Sequence, residues 1–288
     1  MVLYLPKVAA VHDLSGFGRC ALTVVIPTLS SLGISVLPVP TAVLSTHTLF
    51  KNPVFVDLTS HLPAFLEHWR SINLQVDCIY TGFLGSIEQI SIVSGMIDTF
   101  ATSETLVVVD PVMGDNGQLY SKMTTDFCKE MQKLVRKAKI ITPNITEALL
   151  LLNKDPLIVP NTVEEIKTVL VELSNMGPEV VVITSALVND FSISTFAYDR
   201  ISHTFYQITA PLIPINYPGT GDCFASILVG YLLLDRDLAF ALSKAVGFLS
   251  FAIEFSQKHY APKIEGFLLE PCLSRLANDD DLPLVFII

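Results

Sequence analysis

Gly219-Thr220-Gly221-Asp222-Cys223-Phe224-Ala225-Ser226-Ile227-Leu228-Val229-Gly230-Tyr231-Leu232-Leu233-Leu234 is the stretch from which the rest of the chain can be read. Two glycines let the backbone turn tightly and come close to a ligand. The residues after them have the character of a helix start, with no further glycine until Gly230 and no proline. A helix N-terminus offers unpaired N–H groups and the positive end of a dipole, so it can hold an anion. Asp222 at such a point is either a helix cap or a base placed beside an anion site. A base there could take the proton of a hydroxyl that attacks a phosphoryl group.

Composition narrows the classes. The chain has 288 residues, 51% of them hydrophobic and only 16% charged. Its mean hydropathy is +0.54, the profile of a sheet buried on both faces. The length suits one large domain or two modest ones, and without any linker-like tract the expectation is one domain over 1–288. A formal net charge of −10 argues against nucleic-acid binding. No apolar run reads as long enough for a membrane span, and no basic cluster precedes the first apolar stretch, so neither a membrane protein nor a signal peptide is expected. Five cysteines without paired spacing suggest a reducing cytoplasm.

Along the chain, β-type runs near 7–12, 34–41, 76–81, 105–110, 138–142 and 179–184 alternate with helical patterns. This alternation predicts an α/β fold with a mostly parallel sheet covered on both faces. Residues 191–198 and 202–209 read as an antiparallel pair at one edge. The apolar tail 282–288 after Asp279-Asp280-Asp281 has no assigned role. Ligands gather at the carboxyl ends of parallel strands. Polar and glycine clusters at 13–18, 45–48, 110–117, 142–147 and 219–222 fall at those ends, which points to one shared site.

Each cluster has its own chemistry. The stretch from His12 to Ala21 contains a G-x-G-x-x-A pattern, Gly16-Phe17-Gly18-Arg19-Cys20-Ala21, but no acid occurs between Asp13 and Asp57 to hold a ribose. A substrate-enclosing turn is favoured over a dinucleotide-dependent oxidoreductase. Asp110 and Asp115, five apart, suit Mg2+ near a polyphosphate, or a simple polar turn. Asn144 and Glu147 have capping-box spacing, which leaves a metal or nucleotide role for Glu147 open; Thr162 and Glu165 repeat it. Thr46, His47 and Thr48 could read a small polar ring or cap a turn. Cys20 and Cys223 read as small apolar filler, and His61, Glu67 and His68 have no metal-ligand pattern. The Walker sequence is absent.

Together these motifs resemble the ribokinase-like superfamily, and within it the vitamin B6 kinases, from about Val8 to Phe255. The most specific parts are Gly219-Thr220-Gly221-Asp222, Asp110-Pro111-Val112-Met113-Gly114-Asp115, Thr142-Pro143-Asn144-x-x-Glu147 and Ser45-Thr46-His47-Thr48. The resemblance implies a three-layer α/β/α sandwich that uses ATP and Mg2+ to phosphorylate a hydroxymethyl group on a pyridine ring. By position it makes Asp222 the general base and places an anion hole at Gly219, Thr220 and Gly221. Asp110, Asp115 and Glu147 would organise Mg2+ and the phosphates. Thr142, Asn144, Thr184 and Ser185 would line the nucleotide side, and Thr48 would meet the ring hydroxyl. The family also implies a monovalent cation such as K+ and a homodimer.

Two positions depart from the pyridoxal kinases. Asp13 stands where many carry a serine that meets the ring nitrogen, and Phe83 where they carry a ring-contacting tyrosine. The Asp13-x-Ser15-Gly16-x-Gly18 pattern is similar to the hydroxymethylpyrimidine kinases of thiamine synthesis. Those usually place a glutamine where this chain has Thr46, so the expectation stays with vitamin B6.

Overall fold

Strand and helix alternate from the start of the chain. β1 (Lys7–Ser15) leads through α1 (Leu22–Ser31) to β2 (Ser35–Leu44), and the short β3 (Phe55–Asp57) precedes α2 (Leu62–Ser71). β4 (Cys78–Thr81), α3 (Ile87–Phe100) and β5 (Leu106–Val109) follow, then a small hairpin of β6 (Gly114–Asp115) and β7 (Gln118–Leu119). Next come α4 (Thr125–Val135), β8 (Ile140–Ile141), α5 (Ile145–Leu151) and α6 (Val163–Ser174). β9 (Val180–Asn189), β10 (Ser192–Asp199) and β11 (Thr204–Pro211) precede α7 (Thr220–Leu233), α8 (Leu238–Lys258) and β12 (Val285–Ile287). The computed structural model of the chain describes residues 4–189, 191–277 and 282–288.

Ten strands form one sheet in the order β12-β11-β10-β9-β8-β5-β4-β1-β2-β3. The middle, from β9 to β2, is parallel. Both ends are antiparallel: β3 pairs with β2, and β10, β11 and β12 follow one another outward from β9. The expected antiparallel pair therefore forms as β10 and β11 but is not the edge. β12, from the apolar tail, pairs with β11 and covers its open side. The Asp279–Asp281 run lies outside the described residues.

Alternation along each strand sends side chains to two cores. Ala9, Val11, Ile79, Val107 and Val109 face α2 to α6, through residues such as Val93, Met131 and Leu170. Val8, Ala10, Tyr80 and Val108 face α1, α7 and α8, through Leu22, Leu228 and Leu242. The result is the three-layer sandwich expected from the sequence. α8 corrects one expectation: its 21 residues and hydropathy of 1.6 would suit a membrane span by length and composition. Lys244 within it breaks the apolar run in the sequence. In the fold that residue is buried, its ammonium 5.3 Å from the centre of the Tyr231 ring on α7.

The sheet topology locates the crevice. From β1 the chain steps one way to β2, then crosses back to β4 and proceeds the other way through β5, β8 and β9. The carboxyl ends of β1 and β4 thus lie at the point where strand order reverses, where open α/β sheets leave room for a ligand. The β1–β2 register shifts between His12 and Leu14, so Asp13 sits at a bulge beside this opening.

Candidate active site

α7 begins as the opening motif suggested. Gly219 is its N-cap, at φ 81° and ψ −1°. A Cβ there would come within 2.3 Å of the Arg19 carbonyl oxygen, so only glycine fits. No atom lies within 4 Å of where a Cβ on Gly221 would be, which leaves open space above the helix start. The first-turn amides have no intrahelical partners, the condition under which a helix start can hold an anion.

Asp222 lies in this first turn, with 17% of its side chain accessible. Oδ2 accepts a hydrogen bond from the Ala21 N–H at 2.7 Å. Ala21 is itself the N-cap of α1 and holds φ 49°, a costly value for a residue with a Cβ. Two helix starts therefore converge on one carboxylate. Its other oxygen, Oδ1, is 3.7 Å from His12 Nδ1. The Tyr80 and Ser226 hydroxyls donate to the Asp222 carbonyl at 3.3 Å and 2.6 Å. Burial raises the Asp222 pKa, and the Ala21 N–H opposes the shift.

Asp13 is buried on the β1 side of the same opening and accepts a hydrogen bond from Ser15 Oγ at 3.2 Å. Burial, and after it the charge of Asp222, raises its pKa to about 6. Burial also pushes the Cys20 thiol up, helped by Asp222 and Asp13, so it is a poor nucleophile, as its reading as filler implied.

On the β5 side stand Asp110 and Glu147. The Asn144 side chain accepts from the Glu147 N–H at 2.9 Å, and Glu147 Oε2 accepts from the Asn144 N–H at 2.9 Å. The capping box thus forms, as does its repeat at Thr162 and Glu165. Glu147 Oε1 accepts from the Met113 N–H at 3.1 Å, and Asn144 Nδ2 donates to the Gly114 carbonyl at 2.9 Å. Burial, then Asp110, still lifts the Glu147 pKa well above its usual value. Burial and the charge of Asp222 raise Asp110 to about 8. The Thr142 hydroxyl, buried without a hydrogen bond of good geometry, lies beside Asp110 and opposes that shift.

An unfolded Asp110 loses its proton near its ordinary value of 3.8 and the folded one near 8, so ionisation weakens the fold increasingly as pH rises through that window. Asparagine carries no such penalty. Asp110→Asn is therefore expected to raise Tm at pH 8 by roughly 3–8 °C and to change it little at pH 4. Calorimetry at the two pH values checks this; an equal gain at both would contradict it.

Asp115 is placed differently. Asn116 at φ 52° and Gly117 at φ 75° make a tight hairpin turn, and Asp115 accepts from the Asn116 N–H and side-chain amide at 2.8 Å and 3.0 Å. Among the described residues no three histidine, cysteine or carboxylate side chains converge as a metal cage. Asp110 and Glu147 form a pair without Asp115.

The remaining candidates lie around the rim. His47 is buried with both nitrogens engaged: Nε2 lies 2.7 Å from the Ile264 carbonyl, and Nδ1 accepts from the Leu49 N–H at 3.3 Å. No ring nitrogen is left for a ligand. Thr46 is half-buried and Thr48 exposed on the same loop. Phe83 is half-buried beside the opening, its carbonyl accepting from Thr41 Oγ1 at 3.4 Å. Thr184 bridges to Asn144 across the ends of β8 and β9, and Ser185 beside it is exposed.

Four residues of this site carry no sequence signal of their own. His12 and Ala21 touch or approach Asp222. Tyr120 has its hydroxyl pKa raised by burial and then by Glu147, Asp115, Asp110 and Asp222, which places it among all four acids. Gln89 accepts from the Gly85 N–H at 2.7 Å and donates to the Thr41 carbonyl at 3.0 Å, fixing the turn that carries Phe83.

A family model described as phosphomethylpyrimidine kinase matches residues 26–265. A Bacteroides thetaiotaomicron protein assigned as a phosphomethylpyrimidine kinase is 43% identical in one crystal form, covering 100% of this chain and 99% of its own, with a TM-score of 0.97. A second crystal form, obtained with pyridoxal, is 44% identical, covers 99% and 100%, and has a TM-score of 0.93. The structure of pyridoxal kinase from Lactobacillus plantarum is 29% identical, covers 95% and 97%, and has a TM-score of 0.87. A pyridoxal kinase of Rubrobacter xylanophilus is 24% identical over 270 residues, 90% of each chain.

Proposed function

The chain belongs to the phosphomethylpyrimidine kinase family, and from that premise we propose that this kinase transfers the γ-phosphoryl group of ATP to the 5′-hydroxymethyl group of pyridoxal, pyridoxine or pyridoxamine. The observation that carries this reading is the relative crystallised with pyridoxal, 44% identical with 99% of this chain covered. The substrate hydroxyl attacks phosphorus in line. The new O–P bond forms as the bond to the bridging oxygen breaks, and ADP leaves with that electron pair. Asp222 accepts the hydroxyl proton late, because a free alcohol is too weak an acid to ionise first. The amides of Gly219, Thr220 and Gly221 face the charge that spreads over the transferring group. Thr142, Asn144, Thr184 and Ser185 line the nucleotide side.

Asp110 and Glu147 fit a hard divalent cation: both carboxyl groups are buried with raised pKa values, Glu147 in part through the charge of Asp110 and Asp110 in part through that of Asp222, and both gain from a positive ion between them and the phosphates. Asp115 would join them through water. When bound there, Mg2+ offsets the phosphate charge. Glu147, with its oxygens already accepting from Met113 and Asn144, acts mainly through its charge. The five cysteines are all unpaired, which fits a reducing cytoplasm. A single kinase domain, a homodimer and a K+ requirement complete this reading; light scattering and exchange of K+ for Na+ test the last two.

On the substrate side, Asp13 takes the place of a neutral hydroxyl. Ionised above about pH 6, it favours a protonated ring nitrogen or the amino group of pyridoxamine. In wild type the KM for pyridoxamine is expected to fall as pH rises from 5 to 7, because the carboxylate forms through that window. Asp13→Ser should flatten this dependence and change the ranking of the three vitamers by kcat/KM. An unchanged ranking would remove Asp13 from specificity.

Hydroxymethylpyrimidine phosphorylation is the second reading, favoured by the Asp13-x-Ser15-Gly16-x-Gly18 loop and by the family model over 26–265. An ADP-release assay across pyridoxal, pyridoxine, pyridoxamine and hydroxymethylpyrimidine separates the two. Turnover of the pyrimidine alone would overturn the vitamin B6 reading.

A further inference from the structure

His12 lies in an apolar strand, fully buried, and neither ring nitrogen has a hydrogen-bond partner. Buried polar groups of folded proteins are normally satisfied, so a doubly orphaned imidazole calls for a reason. The fold makes specific room for it. A Cβ on Gly82 would lie 2.2 Å from His12 Nδ1, and the Tyr80 ring packs against it edge-on with centroids 4.5 Å apart. Its Nδ1 lies 3.7 Å from Asp222 Oδ1. That is beyond a hydrogen bond, and a shift of about 0.7 Å would close it. Apo active sites often tighten by such amounts when substrate binds.

We infer that His12 is a positioning residue for Asp222: as the Nδ1–H tautomer it donates to Oδ1 in the closed site and fixes the carboxylate's orientation toward the substrate hydroxyl. The inference rests on Asp222 being the base. Among the described residues the Ala21 N–H is the one hydrogen-bond donor to that carboxylate, and it holds Oδ2 alone. One bond leaves the group free to swing; a second, on Oδ1, locks its plane. Burial lowers the His12 pKa to about 3, so the ring stays neutral and keeps its proton. A neutral donor orients the base without the full charge of a cation, which would make the carboxylate a weaker proton acceptor. The other ionisable groups around Asp222, namely Asp13, Asp110, Cys20, Tyr80, Tyr120 and Cys223, all have pKa values raised partly by its charge.

The test compares His12→Phe, His12→Asn and His12→Gln. Asparagine can place an amide N–H where Nδ1 lies, whereas glutamine places it nearer Nε2. His12→Phe and His12→Gln are each expected to lower kcat by about 10–100-fold, the effect of one hydrogen bond to a charged group, with KM for ATP and pyridoxal within about 2-fold. His12→Asn should restore kcat to within about 3-fold of wild type. If the phenylalanine variant does not fold, the Asn–Gln contrast still decides, and equal kcat in those two overturns the inference. In an Asp222→Asn background, His12→Gln should cost nothing further, since the donor acts only through the carboxylate. The same loss there would show a merely structural role and also overturn it. Near-normal turnover of Asp222→Asn itself would instead overturn the assignment of the base.

Discussion

Replacing Asp222 with alanine is expected to lower kcat by about 10²–10⁴ while leaving KM for both substrates within a few-fold. The loss falls on kcat because the carboxylate acts when the hydroxyl proton moves. Folding should survive. The substitution removes one hydrogen bond, from the Ala21 N–H, but also removes a buried acid whose ionisation weakens the folded state. Because the folded pKa is raised, that penalty is present at neutral pH and absent well below the ordinary value of 3.8. Tm at pH 8 should therefore stay level or rise. Steady-state kinetics beside thermal denaturation checks both parts, and kcat within about 3-fold of wild type would remove Asp222 from the chemistry.

Gly219→Ala is the second large effect, and its cause is geometric. The new methyl would meet the Arg19 carbonyl at 2.3 Å while the backbone holds φ 81°. Both penalties act together, so a loss of about 2–4 kcal/mol and a Tm lower by roughly 4–12 °C are expected. The clash also couples two halves of the site. Arg19 belongs to the segment tied to the C-terminal region: its N–H donates to the Glu265 carbonyl at 3.0 Å, and its guanidinium pairs with Glu270 at 2.8 Å. Pushing Arg19 away therefore disturbs both the enclosing loop and the start of α7, and kcat should fall at least about 100-fold. Unchanged Tm and turnover would mean that the helix start can move freely, and the anion hole would need another location.

Much of this was legible because it repeats in the sequence. Alternating β-type and helical runs give the sandwich, since strands buried on both faces read as continuous apolar stretches, as in Val107–Val109. The capping boxes at Asn144 and Thr162 are local hydrogen-bond chemistry, and three-residue spacing is enough to show them. Other elements gave too little span for a period to register. β6 and β7 have two residues each and β3 has three. β12 was hidden because the pairing that defines it is with β11, far back in the chain. His12 shows why long-range chemistry escapes a linear reading: within Val8–Leu14 it is one polar residue of an apolar strand. Only the sheet carries it beside a residue at position 222. Ala21 gave no warning either, because nothing in an alanine announces a left-handed backbone.

The convergence of α1 and α7 on Asp222 has a bearing on the order of events. Both helix starts direct their positive ends at one small region, and the carboxylate and the phosphoryl group must share it. In the resting site that field opposes, without cancelling, the rise that burial gives the Asp222 pKa. As negative charge builds on the transferring oxygens, part of the field is spent on them and the carboxylate's affinity for a proton climbs. The base would then be strongest only once phosphorus is under attack. With Asp222 as the base, such an arrangement would have its proton transfer clocked by the incoming phosphate and would leave the substrate alcohol untouched while the nucleotide side is empty.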